Sequence, residues 1–274
     1  MTRIVSRFAD LRRAGRRGLV AYLTAGDPSL DRTPALVEAL EQGGADAVEL
    51  GVPFSDPIAD GPVIQRASER ALRAGTSLER VLDAVRRVRR RSEIPLVIFT
   101  YLNPVLRYGF ARFAAEAAAA GVDGALLTDL SVEEAGPFIG EMRRHGLDTI
   151  FLAAPTSTRR RLELVARYST GFVYLVSRTG VTGERENISD LVAPLVERTR
   201  AVTDLPLAVG FGLSRPEHLA ELEPLVDAVV VGSAFVRLIE QHAGAQDLEA
   251  RLRDCTAALK AGFRGVHGSV GLAR

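Results

Sequence analysis

The chain has 274 residues, 47% of them hydrophobic, so it is long enough to bury one substantial core in a single domain. Its 35 basic and 34 acidic residues leave a formal net charge of +1, which speaks against a general nucleic-acid or membrane-surface binder and favours a small-molecule ligand. The single cysteine, Cys255, excludes a disulfide framework and a thiolate metal cluster, and we therefore expect a cytoplasmic protein.

The first predicted element is an extra amphipathic helix at residues 1–15, where arginines alternate with apolar residues. After it, short apolar runs recur, each followed by a turn and by a helical stretch with apolar residues at three- and four-residue spacing. The eight predicted strands are residues 19–24, 47–51, 96–100, 124–127, 149–152, 172–176, 207–210 and 228–231. The end of the chain, about residues 265–274, is predicted to be a flexible tail.

The strand pattern indicates an α/β fold. Residues 95–99 and 228–232 are apolar at nearly every position, as parallel strands covered on both faces require. Eight strand–helix units predict a single (β/α)8 TIM barrel over residues 1–274, with an open doubly wound sheet as the alternative on periodicity alone. In such a barrel the functional residues lie at the carboxyl ends of the strands, so polar residues after each apolar run are the candidates.

The second strand carries one acidic residue, Glu49. It faces opposite to Val48 and Leu50, so we expect its side chain to point into the barrel mouth. Burial there raises the pKa of a carboxyl group, which suits proton transfer near neutral pH. The alternative is a structural glutamate bonded to the backbone or to a neighbouring hydroxyl.

A long loop follows this strand, from residue 51 to residue 62, and holds three prolines and two aspartates. Barrel turns usually need only about two to six residues, so the length and rigidity of this loop favour a functional role. Asp60 lies far enough along the loop to place a second carboxylate across the mouth. Either aspartate could instead be a turn residue, and for Asp56 we favour the turn.

Glycine-rich turns follow the last three predicted strands, at residues 180–183, 210–212 and 232–233. Backbone amides can approach an anion closely where side chains are absent, and a helix N-terminus adds partial positive charge. These turns therefore predict a phosphate site, which is common at this place in a barrel. The long polar segment 177–190 is interpreted as a lid, with a disordered surface loop as the alternative.

The predicted strand ends carry no lysine and no set of histidines, which speaks against two common types of aldolase. Lys260 is the only lysine and lies in the predicted C-terminal helix, which speaks against a Schiff-base aldolase. The four histidines fall on predicted helices or the tail and lack ligand spacing, which speaks against a zinc aldolase. Carbon chemistry in this chain would have to run on carboxylates alone.

One stretch closely resembles a known family signature. Residues 49–65, ELGVPFSDPIADGPVIQ, are similar to the signature of tryptophan synthase alpha subunits. Supporting matches are the segments 22–28, 101–104, 152–156, 174–183, 210–212 and 232–233, and the resemblance covers about residues 15–240. Thr100 and the stretch 128–131 depart from the family pattern, which leaves details of the pocket open.

The resemblance implies a lyase of tryptophan biosynthesis that cleaves indole-3-glycerol phosphate to indole and glyceraldehyde 3-phosphate. It makes Glu49 the general acid that protonates indole C3, and Asp60 the acceptor of a hydrogen bond from the indole nitrogen. The substrate-binding positions it implies are Tyr22, Leu127, Tyr174, Thr182 and Phe211. The phosphate-binding positions it implies are Gly183, Gly212, Gly232 and Ser233.

The resemblance also implies a partner. Pro53, Asp56 and Asn103 match positions that face a beta subunit in an α2β2 tetramer. The pyridoxal phosphate cofactor belongs to that partner, and no cofactor or metal is expected in this chain. Two other functions remain open: a sugar-phosphate isomerase on a similar barrel, and a subunit that chiefly activates a beta partner and has vestigial catalysis of its own.

Overall fold

The computed structural model describes residues 1–176, 188–210 and 212–263. The strands in this part of the chain are β1 (Gly18–Thr24), β2 (Ala47–Gly51), β3 (Leu96–Thr100), β4 (Gly124–Leu127), β5 (Asp148–Thr149), β6 (Leu152–Ala153), β7 (Val173–Val176), β8 (Leu207–Gly210) and β9 (Ala228–Val231). The helices are α1 (Arg3–Arg13), α2 (Thr33–Gln42), α3 (Pro62–Arg73), α4 (Leu78–Val88), α5 (Leu102–Tyr108), α6 (Phe110–Ala120), α7 (Gly136–Arg144), α8 (Arg159–Tyr168), α9 (Ile188–Arg200), α10 (Pro216–Leu222), α11 (Ser233–His242) and α12 (Leu248–Lys260).

The strands form one parallel sheet in the order β5-β4-β3-β2-β1-β9-β8-β7-β6. Only Ile150 and Phe151 separate β5 from β6, and they continue the hydrogen bonding. The amide of Ile150 donates to the carbonyl of Ala125 (3.1 Å), and the amide of Tyr174 donates to the carbonyl of Phe151 (3.1 Å). The two ends of the sheet therefore meet within one segment of chain, and the sheet closes into the predicted (β/α)8 barrel.

The predicted elements agree closely with this barrel. β1 begins one residue earlier and β7 one residue later than the sequence predicted, and the extra helix at the start is confirmed as α1. The fifth predicted strand, residues 149–152, is the one that divides, into β5 and β6, because its hydrogen-bond partner changes from β4 to β7 along its length. The predicted tail lies outside the described residues.

The buried side chains form two clusters because successive strand residues face opposite sides of the sheet. The outer cluster packs the strands against the ring of helices, and the inner cluster fills the barrel. Helix α1 closes the amino end of the barrel, where Phe8 packs against Phe172 with ring centroids 5.6 Å apart. No helix in the described part of the chain has the length and apolarity needed to cross a bilayer.

A repeated aspartate arrangement fastens this amino end. The residue before β2, β4 and β9 is in each case an aspartate, whose carboxylate accepts an amide hydrogen bond of 2.8 Å from the start of the neighbouring strand. Each carboxylate also pairs with a basic side chain. The three pairs are Asp46 with Lys260, Asp123 with Arg89, and Asp227 with Arg200. These pairs and helix α1 cover the amino end of the barrel interior, whereas a cavity lined by inward-facing strand residues opens at the carboxyl end.

Candidate active site

A cavity of about 240 Å³ opens at the carboxyl end of the barrel. It brings together both predicted carboxylates, two predicted tyrosines and three of the predicted phosphate-binding residues. Its lining consists of Tyr22, Glu49, Ala59, Asp60, Gly61, Ile64, Phe99, Tyr174, Gly212, Val230, Gly232 and Ser233. A second cavity of about 350 Å³ lies beside β4 and β6, but neither carboxylate lines it. The smaller cavity is therefore the candidate active site.

Glu49 lies on β2 and is completely buried at the floor of this cavity. Neither carboxylate oxygen has a hydrogen-bond partner among the residues that the structure describes. Burial raises the pKa of Glu49 to about 8, because desolvation disfavours the charged carboxylate and no hydrogen bond within the described residues offsets it. Glu49 is thus largely protonated at neutral pH and can donate a proton. The described part of the chain offers its carboxyl group none of the backbone or hydroxyl hydrogen bonds that a structural glutamate would make.

Asp60 lies in the loop after β2 and lines the same cavity. Burial raises the pKa of Asp60 to about 6, and a hydrogen bond from the Tyr101 hydroxyl lowers it in part. The same hydroxyl accepts a hydrogen bond of 3.0 Å from the Ala59 amide, while the Gln65 side chain donates to the Asp60 carbonyl (2.9 Å). The ring of Phe54 packs against Tyr101 at 5.1 Å between centroids. The loop is therefore held from several sides with Asp60 turned into the cavity.

The two carboxyl groups share one cavity and differ in charge. Between about pH 6 and pH 8, Glu49 is largely protonated and Asp60 is largely ionised. Such a separation of two carboxyl pKa values by their environments is how one site supplies both a proton donor and an anion. The cavity can thus protonate a bound molecule and stabilise the positive charge that results.

Two tyrosines form walls of the cavity, and neighbouring strand ends make room for them. A Cβ on Gly51 would lie 2.1 Å from the hydroxyl oxygen of Tyr22, and a Cβ on Gly210 would lie 2.0 Å from that of Tyr174. Only glycine fits at either position, because real Cβ contacts are never that short. The ring of Tyr22 also meets Phe99 edge to face, with centroids 5.3 Å apart. Burial raises the pKa of both hydroxyls, so both stay neutral at physiological pH.

The structure corrects one predicted wall residue. Leu127 does not line this cavity: its side chain belongs to the outer cluster between strands and helices, and it borders the second cavity instead. Leu126 belongs to the inner cluster, because alternation along β4 turns it into the barrel. The prediction for Leu127 is therefore wrong by one strand position. On β3, Phe99 lines the cavity and Thr100 does not, so the departure from the family pattern at Thr100 leaves the cavity wall unchanged.

One end of the cavity is suited to an anion. Gly212, with φ of 76°, adopts a backbone conformation that favours glycine. Gly232 is the N-cap of α11, Ser233 is its first residue, and no side chain of residues 1–176, 188–210 or 212–263 caps the helix there. The first amides of α11 are thus available to a ligand and carry the positive end of the helix dipole. Among the other predicted ligand residues, Thr182, Gly183 and Phe211 lie outside the described residues, as does most of the predicted lid.

The predicted partner-facing residues lie after β2 and β3, on the same end of the barrel as the cavity. Asp56 and Asn103 are exposed, whereas Pro53 is buried within the chain. Two large apolar side chains beside them are also exposed, Ile58 at 84% and Leu106 at 53%. This rim therefore combines polar and apolar groups that are open to solvent in the single chain.

Sequence reasoning missed several residues of the site. Phe99 and Val230 face inward by the same alternation that identified Glu49, so the sequence contained a signal for both. Ile64 lines the cavity from the first turn of α3. Tyr101 had no such signal, because its contact with Asp60 exists only after the loop folds back over the strand ends.

Comparison with known proteins gives a consistent result. The family model described as tryptophan synthase alpha chain matches residues 8–263. The tryptophan synthase alpha chain of Solibacter usitatus is 68% identical over 263 residues, which cover 96% of this chain and 98% of the relative. A solved structure of tryptophan synthase subunit alpha from Legionella pneumophila has 35% identity and a TM-score of 0.89 over 96% of this chain and 99% of its own. A chain of tryptophan synthase from M. tuberculosis has 38% identity and a TM-score of 0.86 over 96% of this chain and 100% of its own.

Proposed function

Because the chain belongs to the tryptophan synthase alpha chain family, we propose that it cleaves indole-3-glycerol phosphate to indole and glyceraldehyde 3-phosphate. The observation that carries this proposal is the pairing of a buried, protonated Glu49 with an ionised Asp60 in one cavity. The reaction also needs a place for the substrate's phosphate, which the uncapped N-terminus of α11 offers in the same cavity.

In the first step, the Glu49 carboxyl group donates its proton to C3 of the indole ring. The ring then carries a positive charge that is shared with the indole nitrogen. Asp60, as a carboxylate, accepts the hydrogen bond from that N–H and stabilises the cation. The protonated ring is an electron sink, which is the role that a lysine Schiff base or a metal serves in other aldolases.

In the second step, the bond between indole C3 and the first glycerol carbon breaks. Its electron pair returns to the ring and restores the neutral indole, while the glycerol hydroxyl on that carbon becomes the aldehyde carbonyl. The hydroxyl proton passes to the Glu49 carboxylate, which regenerates the acid. One proton enters and one leaves. The glycerol carbon is oxidised to the aldehyde and indole C3 is reduced by the same electron pair, so the cleavage balances without an external oxidant or reductant.

The remaining cavity residues position the substrate. Tyr22, Tyr174 and Phe99 supply an aromatic and apolar lining for the indole ring, and Ile64 and Val230 complete it. The amides at Gly212, Gly232 and Ser233 bind the phosphate, with Thr182, Gly183 and Phe211 as further proposed ligand residues. Holding the substrate at both ends places its reactive carbon over Glu49.

We also propose that the chain works with a beta subunit in the cytoplasm, as part of an α2β2 tetramer. Support comes from the exposed side chains of Asp56, Asn103, Ile58 and Leu106, which lie at the same end of the barrel as the cavity. Pro53 is buried within the chain and is a further proposed interface position in the same loop as Asp56. Pyridoxal phosphate would be bound by the beta subunit. Titrating the chain into a beta subunit and measuring tryptophan formation tests the partnership, and a charge reversal at Asp56 should weaken it.

The function is tested by incubating the purified chain with indole-3-glycerol phosphate and measuring indole and glyceraldehyde 3-phosphate. Equal amounts of both products support the proposal. Isomerisation of an aminosugar phosphate without indole release would favour the isomerase. Stimulation of a beta subunit that survives loss of both carboxylates, in a chain that releases no indole, would favour the pure activator.

A further inference from the structure

An ion-pair network lies behind the cavity, and the reaction steps above do not use it. Arg70 of α3 donates two hydrogen bonds to the Asp27 carboxylate, at 2.9 and 2.8 Å, and a third to Glu240 of α11, at 2.8 Å. Arg66, one turn earlier on α3, donates two hydrogen bonds to the same Glu240, at 2.8 and 2.9 Å. We call these four residues the clamp.

The clamp joins the three elements that supply opposite parts of the cavity. Asp27 lies three residues after β1, which carries Tyr22. Arg70 lies on α3, whose first residue follows Asp60 by only two positions, and Glu240 lies on α11, whose first residue is Ser233. Arg70 therefore connects the part of the cavity proposed to hold the indole ring, with Tyr22 and Asp60, to the part proposed to hold the phosphate, at the N-terminus of α11.

Each carboxylate of the clamp depends on the guanidinium groups that pair with it. Asp27 is 1% exposed, so its carboxylate depends on the two hydrogen bonds from Arg70 to replace its hydration. Glu240 lies in the last turn of α11, where the helix dipole disfavours a negative charge. Hydrogen bonds from Arg66 and then Arg70 nevertheless lower the pKa of Glu240 to about 2. The bidentate guanidinium geometry also fixes distance and angle, which a lysine at either position could not do.

We propose that Arg70 is a positioning residue, which sets the distance between Asp60 and the N-terminus of α11. This inference rests on the proposed function, because only a substrate that occupies both ends at once depends on their spacing. A linked ligand gains affinity when both binding ends are held at the right separation, whereas each half alone does not. Arg70 itself touches neither the cavity nor the reacting atoms.

The test compares one linked ligand with its two halves. Binding of indole, of glycerol 3-phosphate and of the non-cleavable indole-3-propanol phosphate is measured by calorimetry for the wild type and for Arg70→Met, which keeps an unbranched apolar stem and removes the guanidinium. We expect the linked ligand to lose roughly tenfold in affinity and each half to change less than about twofold. For the substrate itself, we expect KM to rise and kcat to fall together, because the reactive carbon is no longer held over Glu49.

Arg32 offers a matched control. Its side chain is 27% exposed, against 29% for Arg70, and it makes a bidentate pair with Glu249 at 2.9 and 2.7 Å. It joins the start of α2 to α12, donates as well to the carbonyls of Ala243 and Ala245 directly after α11, and lines no part of the cavity. None of these hydrogen bonds reaches α3, so the connection between α3 and α11 does not depend on Arg32. Arg32→Met removes a comparable ion pair, and we expect all three affinities to stay within about twofold of the wild type.

Two results would overturn the proposal: an Arg70→Met chain that binds the linked ligand as the wild type does, or one that loses all three affinities equally. Circular dichroism establishes that each variant is folded. If Arg70→Met does not fold, Glu240→Gln replaces it, since that change keeps the Arg70 pair with Asp27 and should show the same selective loss. A wild-type chain that releases no indole would instead overturn the proposed function, and the role of Arg70 with it.

Discussion

Replacing Glu49 with glutamine should make the stability of the fold less dependent on pH, because glutamine cannot ionise. Burial raises the pKa of Glu49 from an ordinary 4.5 to about 8, and each unit of pKa difference between folded and unfolded chains corresponds to about 1.4 kcal/mol. The folded-state pKa is the higher one, so the stabilising contribution is full below about pH 4.5 and is lost as pH rises through about 8. At pH 7 the loss is roughly 3 kcal/mol, and above pH 8 it approaches roughly 5 kcal/mol.

The free energy of unfolding in urea, followed by circular dichroism at pH 5, 7 and 9, measures this effect. The buried amide of Glu49→Gln adds an offset that does not depend on pH, so the informative quantity is how the difference between variant and wild type changes. We expect the free energy of unfolding of Glu49→Gln, relative to that of the wild type, to increase by roughly 4 kcal/mol between pH 5 and pH 9. Glu69→Gln on α3 makes the same change at a residue with an exposed side chain, 62% exposed, and should show no such trend. A difference for Glu49→Gln that stays constant over this range would refute the reasoning.

The other predictions concern catalysis and packing around the same cavity. The pH profile of kcat/KM should be bell-shaped, rising as Asp60 ionises through about pH 6 and falling as Glu49 loses its proton through about pH 8; steady-state kinetics in constant-ionic-strength buffers measures it, and a flat profile would contradict the assignment. Tyr101→Phe removes a hydrogen bond that lowers the pKa of Asp60, so the acidic limb should move to higher pH and kcat/KM at pH 7 should fall roughly tenfold. Gly51→Ala places a methyl group 2.1 Å from the Tyr22 hydroxyl and should destabilise the fold by about 1–3 kcal/mol, seen as a lower melting temperature.

Much of the barrel could be predicted because the composition of its strands differs clearly from that of the helices and turns between them. Strands such as Ala47–Gly51 and Ala228–Val231 are short, apolar and bounded by turns, and the structure has them at the predicted positions. The division of the fifth strand could not be predicted, since it follows from a change of hydrogen-bond partner between β4 and β7. That change is a property of the closed sheet and leaves no mark on the local sequence.

The site residues show the same contrast. The direction of the Glu49 side chain could be predicted from the sequence, because its apolar neighbours Val48 and Leu50 must face the helices and alternation then turns Glu49 into the barrel. Leu127 could not, because Leu126 and Leu127 are identical in chemistry and nothing local shows where the alternation begins. Arg70 resembled one basic residue among many on an exposed helix face, and its partner Asp27 is distant in sequence.

The central claim is that Glu49 supplies the proton that starts carbon–carbon cleavage. Its most direct test is the rate of indole release by Glu49→Gln from indole-3-glycerol phosphate, with the affinity for indole-3-propanol phosphate measured on the same preparation. We predict that kcat falls by about 10²–10⁴-fold while this affinity stays within about threefold of the wild type. Turnover close to that of the wild type would contradict the account.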